Sequence, residues 1–420
     1  GIFEIKDAKS IPNIVQKAFY ISTSDRPGPV IISLPEDILE QYARYKSIKA
    51  LKYNFSKISP LKITNLLNKI EKSKKPLIIA GGGDWDKNGA KDLEHFANAN
   101  KIPYAVSFRR QSIVNNNNNY YIGDLSTSVD PKLINSVKES DLILVVGARL
   151  GEMTTGGYTT IKPNQKNKII HVYPDKKELG KVYKPIIGIK ANSSIFSKMI
   201  KYKKIKNIKW ERWSNSCRKN YIEYSTPPKY SSEPDMGKIM LILREYMPKN
   251  TIITIDAGNF SGWIQRFWKY TQVKTQLAPT SGAMGYSIPA AISAKIAKKS
   301  APVIAFCGDG GFMMSSQELA TCNQYKIKPI IIIINNKMLG TIRMHQEKHY
   351  PKRKIATDLV NPDFKVLSKS YNAHYENIKN HKQFLKALKR SIAANKAAVI
   401  EIEVDPQQIT TRQKMKDLNQ

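Results

Sequence analysis

Two apolar runs, Ala301–Cys307 (APVIAFC) and Pro329–Ile334 (PIIIII), constrain the fold of this chain more than any other feature. Each is rich in β-branched residues and shows no polar alternation, the pattern of a strand buried on both faces of a parallel sheet. Between them, Ser315-Ser316-Gln317-Glu318 followed by LATCNQY reads as a capped helix start and one crossover helix. Strand, helix and strand in that order predict a right-handed βαβ unit, whose two strands end on the same edge of the sheet. Ligands of open α/β sheets bind at that edge.

The residues at the two strand ends make the edge chemical. Gly308-Asp309-Gly310 closes the first run and Asn335-Asn336 follows the second. The Asp309 carboxylate, the Asn336 amide oxygen and the main-chain carbonyl of Met338 are hard oxygen donors. Such a set suits Mg²⁺, which keeps water and substrate phosphates as its other ligands. Gly310 and Gly311 let the main chain approach those phosphates at a helix start. Either motif alone reads as a plain turn; the spacing and strand context together favour a metal-diphosphate site.

The pair resembles the signature of thiamine diphosphate-dependent enzymes, which implies that Asp309, Asn336 and the Met338 carbonyl hold Mg²⁺ on the cofactor's diphosphate. Thr280–Ala291 (TSGAMGYSIPAA) is similar to the segment beneath the cofactor in acetolactate synthase-like enzymes. That resemblance implies that Met284 wedges between the cofactor's two rings and bends it, and that Gly282 offers its carbonyl to the 4'-amino nitrogen. Held at contact distance, that nitrogen and the reactive carbon form an acid-base pair. As an ordinary reading, Met284 is a gap-filling core residue. Gly258-Asn259-Phe260-Ser261 stands where many acetolactate synthases carry Gly-Gln-His-Gln, making Gly258 and Asn259 candidates for an altered diphosphate clamp. His345 stands where those synthases carry a tryptophan in the acceptor pocket. It joins Gly282 and Met284 as a catalytic candidate, whereas His349 reads as a solvated helix residue.

Along the chain, alternating strands and helices predict an α/β protein with two doubly wound parallel-sheet domains. The central domain is expected over 61–199, with strands at Lys75–Gly83, Pro103–Ser107, Asp141–Gly147 and Lys168–Val172. The diphosphate-binding domain is expected over 236–405, with a first strand at Thr251–Ile255 and a last at Ala398–Val404 after a helix from His381 to Ala394. A linker (41–60), a connector (200–235) and a tail (406–420) complete the chain. Residues 1–40 carry one helix (Lys9–Ser22) and one strand (Pro29–Leu34), which cannot bury their own apolar faces. With RPGPV leading into the strand, they resemble the closing segment of a pyrimidine-binding domain whose body lies upstream. The family's activating glutamate belongs to that body, so this chain alone is expected to be inactive.

A structural FAD is left open. Gly147-Ala148-Arg149 matches families that hold one in the central domain, but Leu150-Gly151-Glu152 follows where an acidic pair is usual. Tyr173 and Ile189 stand where acids are expected. The glycines at 81–83 fit either a ligand or tight packing.

The net charge of +34 would ordinarily suggest nucleic acid or an anionic membrane. The lysines are instead spread along the whole chain beside Asn- and Ile-rich stretches, the composition that AT-rich codons produce, so neither partner is expected. No apolar run approaches a membrane span, and no secretory leader is read. Three dispersed cysteines give no disulfide framework and fit a reducing cytoplasm. The function expected from the resemblance is decarboxylation of a small 2-keto acid with ligation to a second carbonyl, in a homodimer or homotetramer. Simple decarboxylation, or a non-catalytic nucleotide-binding role, are the alternatives.

Overall fold

The computed structural model describes residues 1–45, 47–51, 57–163 and 168–418. Parts of the expected linker (46 and 52–56) and the end of the expected tail (419–420) lie outside the described residues.

Two six-stranded sheets dominate, and every strand pair in them is parallel. The central sheet runs β5-β4-β3-β6-β7-β8, built from β3 (Pro76–Ala80), β4 (Tyr104–Ser107), β5 (Tyr121–Leu125), β6 (Leu142–Val146), β7 (Ile169–Tyr173) and β8 (Ile187–Lys190). The sheet of the chain's third domain, the expected diphosphate-binding domain, runs β10-β9-β11-β12-β14-β13. Its strands are β9 (Ile252–Ile255), β10 (Gln276–Leu277), β11 (Val303–Gly308), β12 (Ile330–Asn335), β13 (His374–Ile378) and β14 (Ala398–Glu403). Helices cover both faces, so alternate residues of one strand enter different cores. Ile304 and Phe306 pack on one side, Val303, Ala305 and Cys307 on the other. That two-sided burial is why both runs lack polar alternation.

The expected strands are all present, and β5, β8, β10 and β13 are additional. The crossover between β11 and β12 differs from the single helix expected. A helix opens directly at Asp309–Met313, a 3-10 turn follows at Ser316–Glu318, and a second helix runs Leu319–Gln324. Ser315 makes no side-chain cap hydrogen bond. The chain turns into helix as soon as β11 ends because Gly308 and Gly310 impose no side chain there.

The first segment also differs, because β1 (Ile2–Glu4) pairs in parallel with β2 (Ile31–Ser33) beside the helix Ile11–Thr23. Ile2, Phe19 and Ile31 remain 79%, 68% and 60% exposed, so this unit does leave an apolar face uncovered. The connector is not a free link: its helix Glu211–Tyr224 and the preceding Trp210 pack into the central core. Among the described residues no helix is long and apolar enough to cross a membrane.

Candidate active site

In the third-domain sheet the strand order reverses between β9 and β11, and the carboxyl ends of β9, β11, β12 and β14 surround one cavity of about 310 Å³. Its lining brings together Gly258, Asn259, Gly282, Met284, Gly308, Asp309, Gly310, Gly311, Asn336 and Met338, so nearly every residue singled out in the sequence meets here. His345 is the exception. The helix Gly340–His349 turns it to solvent, where its ring stacks on His349 with centroids 6.1 Å apart. Helical spacing explains the pairing, since residues four apart share a face.

The two asparagines divide their work. Asn335 is buried, and its amide donates to Glu401 Oε1 at 2.6 Å while its oxygen accepts from the Lys337 N–H. Asn336 reaches the cavity, with its oxygen accepting from the Met338 N–H at 3.2 Å. An amide oxygen has a second lone pair, which leaves it able to meet a cation. Asp309 is buried at the start of its helix, and Oδ2 accepts from the Asn361 amide at 2.8 Å. Burial pushes its carboxyl up from the ordinary range, and the Asn361 hydrogen bond opposes the shift. Asn361 also donates to Asn335 Oδ1, so one amide ties the two motifs together.

Asn361 is carried by a segment that runs beside the second motif. The Leu339 N–H donates to Thr357 O, and the Leu359 N–H donates to Lys337 O, both at 2.9 Å. Buried Arg343 fixes the same segment through Thr357 Oγ1 and Asp358.

Met284 sits in a loop that turns left-handed on both sides, at Gly282 (φ 74°) and Gly285 (φ 77°), conformations that only glycine adopts readily. Its methyl end lies close to Gly310, 3.4 Å from where a Cβ there would stand. Fully buried Asp256, just past β9, holds this loop by accepting from the Gly285 and Ser287 N–H groups at 2.9 and 2.5 Å. Burial raises its carboxyl above the ordinary range against those bonds. A Cβ on Gly311 would stand 2.5 Å from Asp256 Oδ2. Gly311 is therefore required by Asp256, and not solely by the close approach of a phosphate expected from the sequence.

Asn259 has its polar groups engaged as well. Its oxygen accepts from Thr341 Oγ1 at 3.0 Å, and its N–H donates back to that hydroxyl. Phe260 lays its ring beside Gly258 and Gly308.

The donor chemistry fits Mg²⁺ and a diphosphate. One carboxylate, one amide oxygen and one carbonyl leave the other half of an octahedral shell to water and phosphate. Among the described residues no group of three His, Cys, Asp or Glu side chains could hold a softer, all-protein-bound ion.

Comparison with known proteins gives the same direction. The chain matches the thiamine pyrophosphate enzyme C-terminal TPP binding domain over 256–402 and the thiamine pyrophosphate enzyme central domain over 63–199. It is 31% identical to the probable acetolactate synthase large subunit of Methanocaldococcus jannaschii, over 96% of this chain and 71% of the relative. This chain belongs to the acetolactate synthase-type thiamine pyrophosphate enzymes. The acetolactate synthase large subunit of Lactococcus lactis is 30% identical over 92% of this chain and 68% of its own. Isozyme 2 of Escherichia coli is 25% identical over 96% and 73%.

Within this member of the family, Asp256 and Asn361 were not legible as site residues. Asp256 had a signal: it closes the apolar run Ile252–Ile255 as Asp309 closes its own. Asn361 had none, because it reaches Asp309 only through the pairing of 357–359 with 337–339.

Of the glycines at 81–83, Gly81 and Gly82 are packed and Gly83 faces open space. A Cβ on Gly81 would stand 2.1 Å from Ser107 Oγ, and one on Gly82 2.2 Å from Gly147 O. The adjoining helix start is filled from within, since the Ser193 N–H and hydroxyl donate to Asp84 at 2.6 and 2.8 Å. Arg149 pairs with Glu178, and Tyr173 and Ile189 are buried.

Proposed function

We propose that the cavity holds thiamine diphosphate through a Mg²⁺ ion bound by Asp309, Asn336 and the Met338 carbonyl. The protein would use it to decarboxylate a small 2-keto acid and join the remaining acyl carbon to a second carbonyl. The observation that carries this is the meeting of that oxygen set with Met284, flanked by left-handed Gly282 and Gly285, around one cavity. When bound, the cofactor supplies a carbon nucleophile for the keto group and an electron sink for the pair left by CO₂.

The protein's own part is placement. Asp309, Asn336 and Met338 would fix the diphosphate end, with Gly310 keeping side-chain bulk away from it. Met284 would bend the cofactor, and Gly282 would accept a hydrogen bond from its amino group through the carbonyl. Asp256 would hold that loop against the recoil of the bend. The relatives' names, acetolactate synthase large subunits, support ligation, and the uncovered face at Ile2, Phe19 and Ile31 supports a homodimer or homotetramer. The three buried free cysteines, Cys217, Cys307 and Cys322, accord with the cytoplasm.

Tryptophan fluorescence during a thiamine diphosphate titration with MgCl₂ tests the reading without needing turnover. Saturable binding is expected in the wild type, weakened on the order of a hundredfold in Asp309→Ala. No binding in the wild type, or unchanged binding in the variant, would sink it. In protein that also carries the upstream domain with the expected activating glutamate, a pyruvate assay then separates the chemistries: acetoin after acid treatment means ligation, and aldehyde without acetoin means simple decarboxylation.

A further inference from the structure

A second cavity, of about 480 Å³, opens at the opposite edge of the third-domain sheet, where Met247, Pro248 and Lys249 lead into the amino end of β9. It lies against the helices Glu211–Tyr224 and Met236–Tyr246 and shares no lining residue with the cofactor cavity. Four cations line it, Arg218, Arg244, Lys249 and Lys269, and no Asp or Glu does.

Those cations meet only neutral acceptors. Arg218 donates to the main-chain oxygens of Asn116 and Tyr121 at 3.2 and 2.7 Å, and Arg244 donates to Phe267 O at 3.2 Å. Lys269 donates to the Tyr221 hydroxyl at 2.6 Å, with its ammonium 3.9 Å from that ring's centroid. Among the described residues none of the four forms an ion pair. Trp268 adds an indole N–H at the cavity wall that is buried without an acceptor. Uncompensated cations at a partly buried wall raise the free energy of the empty state, and an anion relieves them. Most of the chain's surplus lysines escape this problem by standing in water.

We propose that this cavity binds the phosphate of a small phosphorylated metabolite of nucleotide size. Two guanidiniums and the Lys249 ammonium, beside a Lys269 amine that can take up a proton, suit a dianion with several acceptor oxygens. The volume exceeds one phosphate, and Leu241 and Trp268 offer apolar surface to an attached organic group.

Lys269 gives the binding a signature. Burial, then the charges of Arg244 and Arg218, hold its ammonium down at about 6, with the Tyr221 hydroxyl as its other neighbour. At about pH 8 the amine is therefore mostly neutral, and a phosphate dianion beside it restores the ammonium form. Binding should take up about one proton and strengthen as pH falls from about 8 toward 7.

Calorimetry with AMP, inorganic phosphate and adenosine, in two buffers of different ionisation enthalpy and with thiamine diphosphate and Mg²⁺ present, tests the proposal. AMP and phosphate are expected to bind with proton uptake, and adenosine not to bind. Lys269→Met should abolish the uptake, and Arg244→Met or Lys249→Met should weaken AMP about tenfold. Lys249 is exposed, so its variant reports even if the others fold poorly. AMP should bind the Asp309→Ala protein normally. The proposal is overturned by absent AMP binding, by equal binding of adenosine, by affinity indifferent to all three cation variants, or by loss of AMP binding in Asp309→Ala.

Discussion

The Arg109 guanidinium, from the central domain, donates at 2.6 Å to the main-chain oxygen of Pro279, in the loop that leads to Met284. Its other terminal nitrogen reaches the Asp256 main-chain oxygen at 3.4 Å. The seam between the two sheet domains thus passes through the support of the candidate active site. Arg109 itself is buried and strained, with φ 55°, and non-glycine residues hold that conformation only where surrounding contacts enforce it.

Arg109→Met should leave the Pro279 oxygen without its buried donor and lower stability by about 2–4 kcal/mol. Thiamine diphosphate affinity should fall with it, because the Met284 loop loses an anchor. Arg109→Lys should rescue little, since one ammonium cannot reproduce the planar two-point contact. Chemical denaturation and the fluorescence titration, run on both variants, check the pair of effects.

Neighbouring glycines should separate site from scaffold. Gly311→Ala forces a methyl against Asp256 Oδ2, so a loss of about 2–3 kcal/mol in denaturant unfolding is expected. Gly310→Ala meets the pliable ends of Leu339, Leu359 and Met284 at 3.1, 3.3 and 3.4 Å. It should cost less stability and weaken cofactor binding more. The reverse order would mean that Gly310, not Gly311, is the residue the scaffold requires.

Asp124 should impose a pH dependence on stability. Its Oδ2 is buried without a partner, although the residue as a whole is partly exposed. Burial raises its carboxyl to about 7, with Ser126 opposing. The unfolded carboxyl ionises near 4, so between about pH 4 and 7 the folded state binds more protons. Its contribution is fully present below that range and is lost as pH rises through 7. Asp124→Asn should therefore be more stable than wild type at about pH 8, by about 1–3 kcal/mol, with the gap closing toward pH 4. Thermal melts across that range check it.

What the sequence disclosed follows burial. The runs at 301–307 and 329–334 are sealed on both faces, so their composition alone marks them as strands. By contrast β13 (HYENI) is a half-buried edge, β10 has two residues, and β5 contains Gly123 at φ 120°. None carries a long apolar run. The crossover was misread at Ser315 because a capping pattern appears there, while the helix begins at Asp309 after Gly308, with no side-chain cap to mark it in the sequence. The candidate site was legible where its residues follow strand ends directly, as at Asp309 and Asn336. Contacts made across the fold, such as Asn361 on Asp309 and Arg109 on Pro279, leave no local trace. His345 falls outside the cavity because one turn of helix decides which way it faces.

The pairing of 357–359 with 337–339 also divides the loop before it into two regimes. Tyr350–Ala356 is exposed throughout, so added residues there would only enlarge a surface excursion. One residue inserted between Thr357 and Asn361 would instead slip the register and carry the amide off Asp309. Length variation, natural or engineered, should accumulate ahead of Thr357 and stop there, which makes the upstream half a place to graft a tag or probe beside the cavity.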